Sequence, residues 1–284
     1  MGEIDVRPVS PVIGAEIDAG DVRKLSPQGR AELKEAVFRH QVVFLRDQDL
    51  SEDELAEVGS WFGELLDQGH GGLVGSLTRV STFSITPDQP PRADLWHTDL
   101  TYWEVPPAFA ILYNVVAPAA GGDTVWSSSY AAYEALSPPF RRLCGQLTAR
   151  HWCGPNLYQY VVDRGGESMA RELQARFPPR DQPLVIRHPH TGRPALFLTD
   201  NFLDVIIGLE PHEEAALRTI LRAPYNNPNN QARIRWQPGS MAIFDQRATN
   251  HRGLSDHWPT HPYRTTRSVF IADGIPVADL AWRE

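Results

Sequence analysis

The feature that most limits what this chain can fold into is a series of short apolar runs, rich in β-branched and aromatic side chains and cut off from one another by Gly, Pro and Asp. They fall at residues 12–17, 42–46, 109–116, 124–127, 184–188, 195–199, 240–244 and 265–272. Runs of this length and make-up are strands. So many, with few helices to alternate with them, predict a mainly β barrel or sandwich. Helical patterning is confined to four places. Ser26-Pro27 sets a capping residue before a proline at the first helical position, and Leu33, Ala36 and Val37 then form an apolar stripe up to about Arg39. Ser51-x-x-Glu54 is a capping box that opens a second helix with Leu55, Val58, Phe62 and Leu65 on one face. Two more are expected over 129–136, resuming after Ser137-Pro138, and from Pro211 to about Arg222. Residues 69–75, 86–95, 154–168 and 224–231 read as functional or mobile loops. No repeat and no long linker divides the chain, so residues 1–284 are expected to form one domain.

Composition removes several kinds of partner. With 27 basic against 35 acidic side chains the net charge is −8, and no Lys/Arg-rich run supplies the cationic footprint that nucleic acid requires. No stretch approaches the roughly 18 apolar residues of a membrane span. Met1-Gly2-Glu3-Ile4-Asp5 lacks the basic and apolar regions of a secretory leader, so a cytoplasmic location is expected. Cys144 and Cys153, nine residues apart, match no disulfide framework and no C-x-x-C motif. A small-molecule partner fits best.

Ten histidines are present, and two have a carboxylate two residues on. His97-Thr98-Asp99 lies between Leu95-Trp96 and Leu100-Thr101-Tyr102, an extended segment in which positions i and i+2 point to the same face. Its imidazole and carboxylate can therefore converge on one ion. His212-Glu213-Glu214 starts a helix after Pro211, where i and i+2 diverge. Far downstream, the segment from Phe244 to Gly253 supplies His251 as a third ligand. Two histidines and one carboxylate make a facial triad, the pattern of non-haem Fe(II) oxygenases, which leaves room for a chelating cosubstrate and dioxygen. Zinc is more often given a closed tetrahedral site.

These residues sit within a longer ordered set of motifs. Trp96-His97-Thr98-Asp99-Leu100-Thr101-Tyr102 is followed by Pro107 and by Gly121-Gly122-Asp123-Thr124-Val125-Trp126. Then come Trp236-x-Pro238-Gly239, Phe244-Asp245-x-Arg247-Ala248-Thr249-Asn250-His251 and a late Arg264, with Gly14-Ala15-Glu16-Ile17 and Val42-Val43-Phe44-Leu45-Arg46 near the start. The set resembles the TauD/TfdA family of Fe(II)- and 2-oxoglutarate-dependent dioxygenases. The resemblance implies a mainly β fold with flanking helices, a distorted double-stranded β-helix or jelly roll. It implies Fe(II), 2-oxoglutarate and O2 as cofactor and cosubstrates, and a reaction that couples decarboxylation of 2-oxoglutarate to C–H oxidation of a small organic substrate. Relatives are often dimers or tetramers, so a homo-oligomer is a further expectation.

Carried over residue by residue, the resemblance makes His97, Asp99 and His251 the iron ligands. It sets Thr124, by its Gly-Gly-x-Thr-x-Trp context, at the far carboxylate of 2-oxoglutarate. An ungapped alignment of the last strand puts Arg264 there too. Arg267, three residues on, is the alternative and would face the opposite side of the strand. An arginine is expected because its forked donors meet a carboxylate bidentately. In the same register Ser268 stands where relatives acting on taurine or alkyl sulfates carry a second arginine for the substrate's anionic head, which disfavours a simple alkyl sulfonate. His70 matches a substrate-facing histidine and Phe202 a pocket aromatic, and Tyr102, with Trp103, Tyr158 and Tyr160, would make that pocket aromatic. Two other readings stay open: a cupin-like metalloenzyme that does not use 2-oxoglutarate, and a catalytically silent binding protein on the same fold. Thr124 and Arg264 discriminate against the first, and the intact triad against the second.

Overall fold

The computed structural model describes residues 2–67 and 79–283. Its strands are β1 (Asp5–Pro8), β2 (Ala15–Asp18), β3 (Val42–Leu45), β4 (Glu64–Leu65), β5 (Ser81–Ile85), β6 (Phe109–Val116), β7 (Thr124–Ser128) and β8 (Thr148–His151). They continue as β9 (Arg180–Pro183), β10 (Val185–Arg187), β11 (Pro194–Leu196), β12 (Leu203–Ile206), β13 (Gln231–Ile234), β14 (Met241–Asp245), β15 (Thr249–Gly253) and β16 (Arg264–Ala272). The helices are α1 (Pro27–His40), α2 (Glu52–Ser60), α3 (Ser129–Glu134), α4 (Pro138–Cys144), α5 (Gly154–Arg176) and α6 (Pro211–Arg222).

The larger sheet runs β1-β2-β3-β14-β6-β16-β4, with β5 also paired to β16, and a smaller sheet runs β13-β7-β15. Phe44, Leu112, Phe244 and Ala242 of the first meet Trp126, Ala232 and Ile234 of the second in one apolar cluster that also holds Trp236. Two sheets closed over such a layer make the sandwich that the expected jelly roll requires. The opposite face of the larger sheet, with Val43, Ile111, Ile243, Val269 and Ile271, buries the apolar stripes of α1 and α2. Because β3, β6 and β14 are covered on both faces, they read in sequence as continuous apolar runs instead of alternating ones.

Both early helices start as their capping residues require. Ser26 accepts from the N–H groups of Gln28 and Gly29, and Ser51 and Glu54 form the reciprocal capping box. The segment 154–168, expected to be a loop, is instead most of α5, broken by a non-helical Gly166 at φ +77°. Val161, Ala170 and Leu173 bury themselves beside Tyr102 and Phe202, and that packing outweighs the local Gly-Pro and Gly-Gly signals. Residues 224–231 hold two short 3-10 turns.

Candidate metal centre and its surroundings

His251 sits in β15, opposite Trp126 of β7. His97 precedes the described strand β6, yet its main chain pairs with the far side of β15: His97 N–H donates to His251 O at 2.9 Å and His251 N–H to His97 O at 2.8 Å. This bridge brings the two imidazoles to a ring separation of 4.2 Å. Thr98 Oγ1 donates to Thr249 O at 2.9 Å and fixes the segment, so Asp99 returns to the face of His97. Asp99 Oδ1 lies 3.6 Å from His97 Nε2, and Asp99 Oδ2 lies 3.6 Å from His251 Nε2. One ligand atom from each residue falls within 4.8 Å of the others, and among the described residues no other group of three His, Cys, Asp or Glu side chains converges in this way. His212, at the start of α6, takes no part in it.

The donors suit a divalent metal. His97 Nδ1 lies 2.8 Å from Leu95 O, which fixes the proton on that nitrogen and turns the Nε2 lone pair toward Asp99. Burial, and then His97, holds His251 well below the ordinary imidazole value, so it is neutral. Burial raises Asp99, against the influence of His97 and of a hydrogen bond from Gln246. A neutral His251 and the free Nε2 edge of His97 beside a buried carboxyl make a donor set that a dication completes.

A second polar cluster lies along the same sandwich interior. Arg264, 5% exposed, donates from Nε to Thr266 Oγ1 at 3.2 Å, from Nη1 to Gly122 O at 2.9 Å and from Nη2 to Thr124 Oγ1 at 3.4 Å. Its Cζ is 5.3 Å from the centroid of Trp236. Thr124 Oγ1 also accepts from Trp236 Nε1 at 2.9 Å. With two donors on its oxygen, the Thr124 hydroxyl keeps its own proton for another acceptor. Gly121 and Gly122, at φ +72° and +70°, make the tight turn that presents the Gly122 carbonyl to Arg264. Burial lowers the guanidinium to about 10, opposed by Asp123, which leaves it cationic at neutral pH. Arg267 points the other way, donating to Leu50 O at 3.0 Å and pairing with Glu52 at 3.4 Å. The alternation in β16 thus separates the two arginines as expected.

Ser268 is buried on the Arg264 and Thr266 face of β16. Phe202 packs edge-on to His97 at 6.5 Å and lies 5.4 Å from Tyr102. Tyr102 is wholly buried and also packs against Phe177, itself stacked on Trp103 at 4.8 Å. Tyr158 and Tyr160 flank the same cluster from α5. His70 lies outside the described residues. Sequence reasoning missed Gln246 and Thr266. The period-two alternation from Arg264 was the available signal for Thr266. A cleft of about 680 Å³ lined by Glu104, Arg150, Arg180 and Asp181 contains none of these residues, and its charges pair with one another.

A family model described as taurine catabolism dioxygenase TauD, TfdA family, matches residues 5–268. The chain belongs to the TauD/TfdA family. Its TauD/TfdA relatives include the alpha-ketoglutarate-dependent sulfate ester dioxygenase of Pseudomonas putida, 35% identical over 287 positions that cover 97% of this chain and 91% of the relative. Another is the (S)-phenoxypropionate/alpha-ketoglutarate-dioxygenase of Delftia acidovorans, 27% identical, with 88% and 89% covered. Among solved structures, a taurine dioxygenase from Burkholderia xenovorans superposes with a TM-score of 0.81 at 31% identity, covering 99% of this chain and 97% of that one. The TauD/TfdA membership and this superposition bear out the jelly roll. No helix among the described residues is long and apolar enough to cross a membrane.

Proposed function

We propose that this chain, as a single domain, is a cytoplasmic Fe(II)- and 2-oxoglutarate-dependent dioxygenase. It couples conversion of 2-oxoglutarate to succinate and CO2 with C–H oxidation of a small organic substrate other than a simple alkyl sulfonate. The observation that carries the reading is the Arg264–Thr124 pair in the same interior as His97, Asp99 and His251. A cupin-like enzyme that dispenses with 2-oxoglutarate has no use for a buried guanidinium and a spare hydroxyl proton there.

Fe(II), held by His97 Nε2, Asp99 and His251 Nε2, would supply the dioxygen chemistry. The chain's residues bind and orient. Arg264 and Thr124 take the far carboxylate of 2-oxoglutarate through charge-assisted hydrogen bonds, each stronger than a neutral one. Leu95 O accepts from His97 Nδ1 and so orients the ring with Nε2 toward the metal position. Phe202, beside His97, keeps the metal's neighbourhood apolar and excludes water from the reacting C–H bond. Ser268, where the family resemblance implies an arginine in relatives that take taurine or alkyl sulfates, supports a substrate with no anionic head at that point, and the aromatic cluster of Tyr102, Phe202 and Trp103 supports one with bulk.

The test needs no knowledge of substrate. Anaerobic addition of Fe(II) and then 2-oxoglutarate should give the weak visible charge-transfer band of a chelated Fe(II)–keto acid pair, absent in His97→Ala. Iron binding without any band in the parent protein would overturn the reading.

A further inference from the structure

The position left open between Asp245 and Arg247 in the sequence motif is Gln246, and it touches a proposed metal ligand twice. Gln246 Nε2 donates to Asp99 Oδ2 at 2.6 Å, and Gln246 Oε1 accepts the main-chain N–H of Asp99 at 3.2 Å. One amide thus closes a ring on both the backbone and the carboxylate of the same residue. Only this orientation of the amide satisfies both atoms, because a flip would set its NH2 against a donor and its oxygen against an anion.

We propose that Gln246 is a positioning residue for the metal centre. Asp99 Oδ1 faces His97 Nε2 and Oδ2 faces His251 Nε2, and by fixing the rotation of the carboxylate Gln246 engages Oδ2 in a hydrogen bond and leaves Oδ1 free for the metal. The inference rests on the reading of His97, Asp99 and His251 as the metal site. The carboxylate torsion of an aspartate is otherwise soft, with no sharp staggered well to hold it. A neutral donor also orients the ligand without bringing in a cation that would compete with the metal for its charge.

Gln246 can serve this role because it is itself immobilised. It is 1% exposed, and its N–H donates to Ala108 O at 2.9 Å. The turn it occupies is tied down on both sides. Asp245 Oδ1 accepts from Arg247 N at 2.9 Å and Ala248 N at 3.2 Å, while Asp245 Oδ2 accepts from His188 Nε2 at 2.8 Å. His188 Nδ1 accepts from the N–H groups of His190 and Thr191, so its proton is held on Nε2. Arg247 in turn clamps Asp273 through two hydrogen bonds. The chain leaves this turn as β15, which carries His251. One anchored turn therefore governs the pose of two of the three ligands.

The test uses Co(II) as probe, read by its visible d–d bands and by titration. Gln246→Met keeps length and bulk and removes both hydrogen bonds. Its Kd for Co(II) should rise about 10–100-fold, the usual effect of losing such a ligand-orienting contact, with altered d–d bands and an unchanged circular dichroism spectrum. If Gln246→Met does not fold, Gln246→Asn, one methylene too short to reach both atoms, carries the same expectation. A folded variant with unchanged bands and a Kd within about twofold of the parent would overturn the proposal. So would an equal weakening in Val269→Ala, which loosens the packing under β16 without touching the site. A parent protein that binds no Co(II), or binds it equally after His97→Ala, would overturn the metal-site reading itself.

Discussion

A hydroxyl that already accepts two hydrogen bonds has only its own proton left to give, and Thr124 stands in that position between Trp236 and Arg264. Thr124→Val keeps the shape and deletes the donor. Affinity for 2-oxoglutarate should fall by about 1.5–3 kcal/mol, the worth of a hydrogen bond to a charged group, in an anaerobic titration of the visible band. Arg264→Ala should cost more, about 2–5 kcal/mol, because it leaves a buried carboxylate without its charge partner. Arg267→Ala serves as the contrast. It breaks contacts to Leu50 O and Glu52 on the α2 side, so 2-oxoglutarate affinity should stay at the parent level. If the two arginines exchanged these behaviours, the register of β16 against the site would be refuted, and with it the meaning given to Ser268.

At the scale of elements, α2 is the prop beneath the site-bearing strand. Leu55, fully buried on its inner face, shares a cluster with Val269 and Ile271 of β16. Leu55→Ala should lower unfolding stability by about 2–5 kcal/mol in urea while leaving the keto acid titration intact, since it empties space behind the sheet and touches nothing within the sandwich. This helix was legible in the sequence because its start is a local motif, Ser51 and Glu54, and its face a local period. The strands β3, β6, β14 and β16 were legible for the same kind of reason. β15 was not, because Thr-Asn-His-Arg-Gly has the composition of a loop and becomes a strand only through pairing with β7. The same divide holds in the site. The spacing of His97 and Asp99 is a strand period and can be read directly, as can the phase of Arg264 against Arg267. Gln246 meets Asp99 across 147 residues of chain, a contact that no local pattern encodes.

For the molecule as a whole, pH acts through groups buried in the wrong charge state for water. Burial, then the nearby Arg218, lowers His151 to about 3, whereas the unfolded chain takes up its proton near 6.5. Between these values the unfolded state binds the extra proton, so stability must decline as pH falls from about 6.5, by up to about 1.4 kcal/mol per unit. Melting temperatures from pH 7 to 4 should show that slope in the parent and a flatter one in His151→Leu. Glu54 acts in the same direction at lower pH: the Ser51 N–H, then Arg23, hold it down at about 2, so its contribution is full above about pH 4.5, declines as pH falls below that and is gone near pH 2. Finally, the ladder between β7 and β15 acts as a ruler. His251 lies opposite Trp126 and Gly253 opposite Thr124, so the proposed metal ligand and the proposed anchor for 2-oxoglutarate are set one same-face strand repeat apart, about 6.8 Å. That spacing of main-chain positions belongs to the β7–β15 register. The protein should therefore select keto diacids by length, accepting the five-carbon acid and turning away its four-carbon homologue, oxaloacetate, at equal charge.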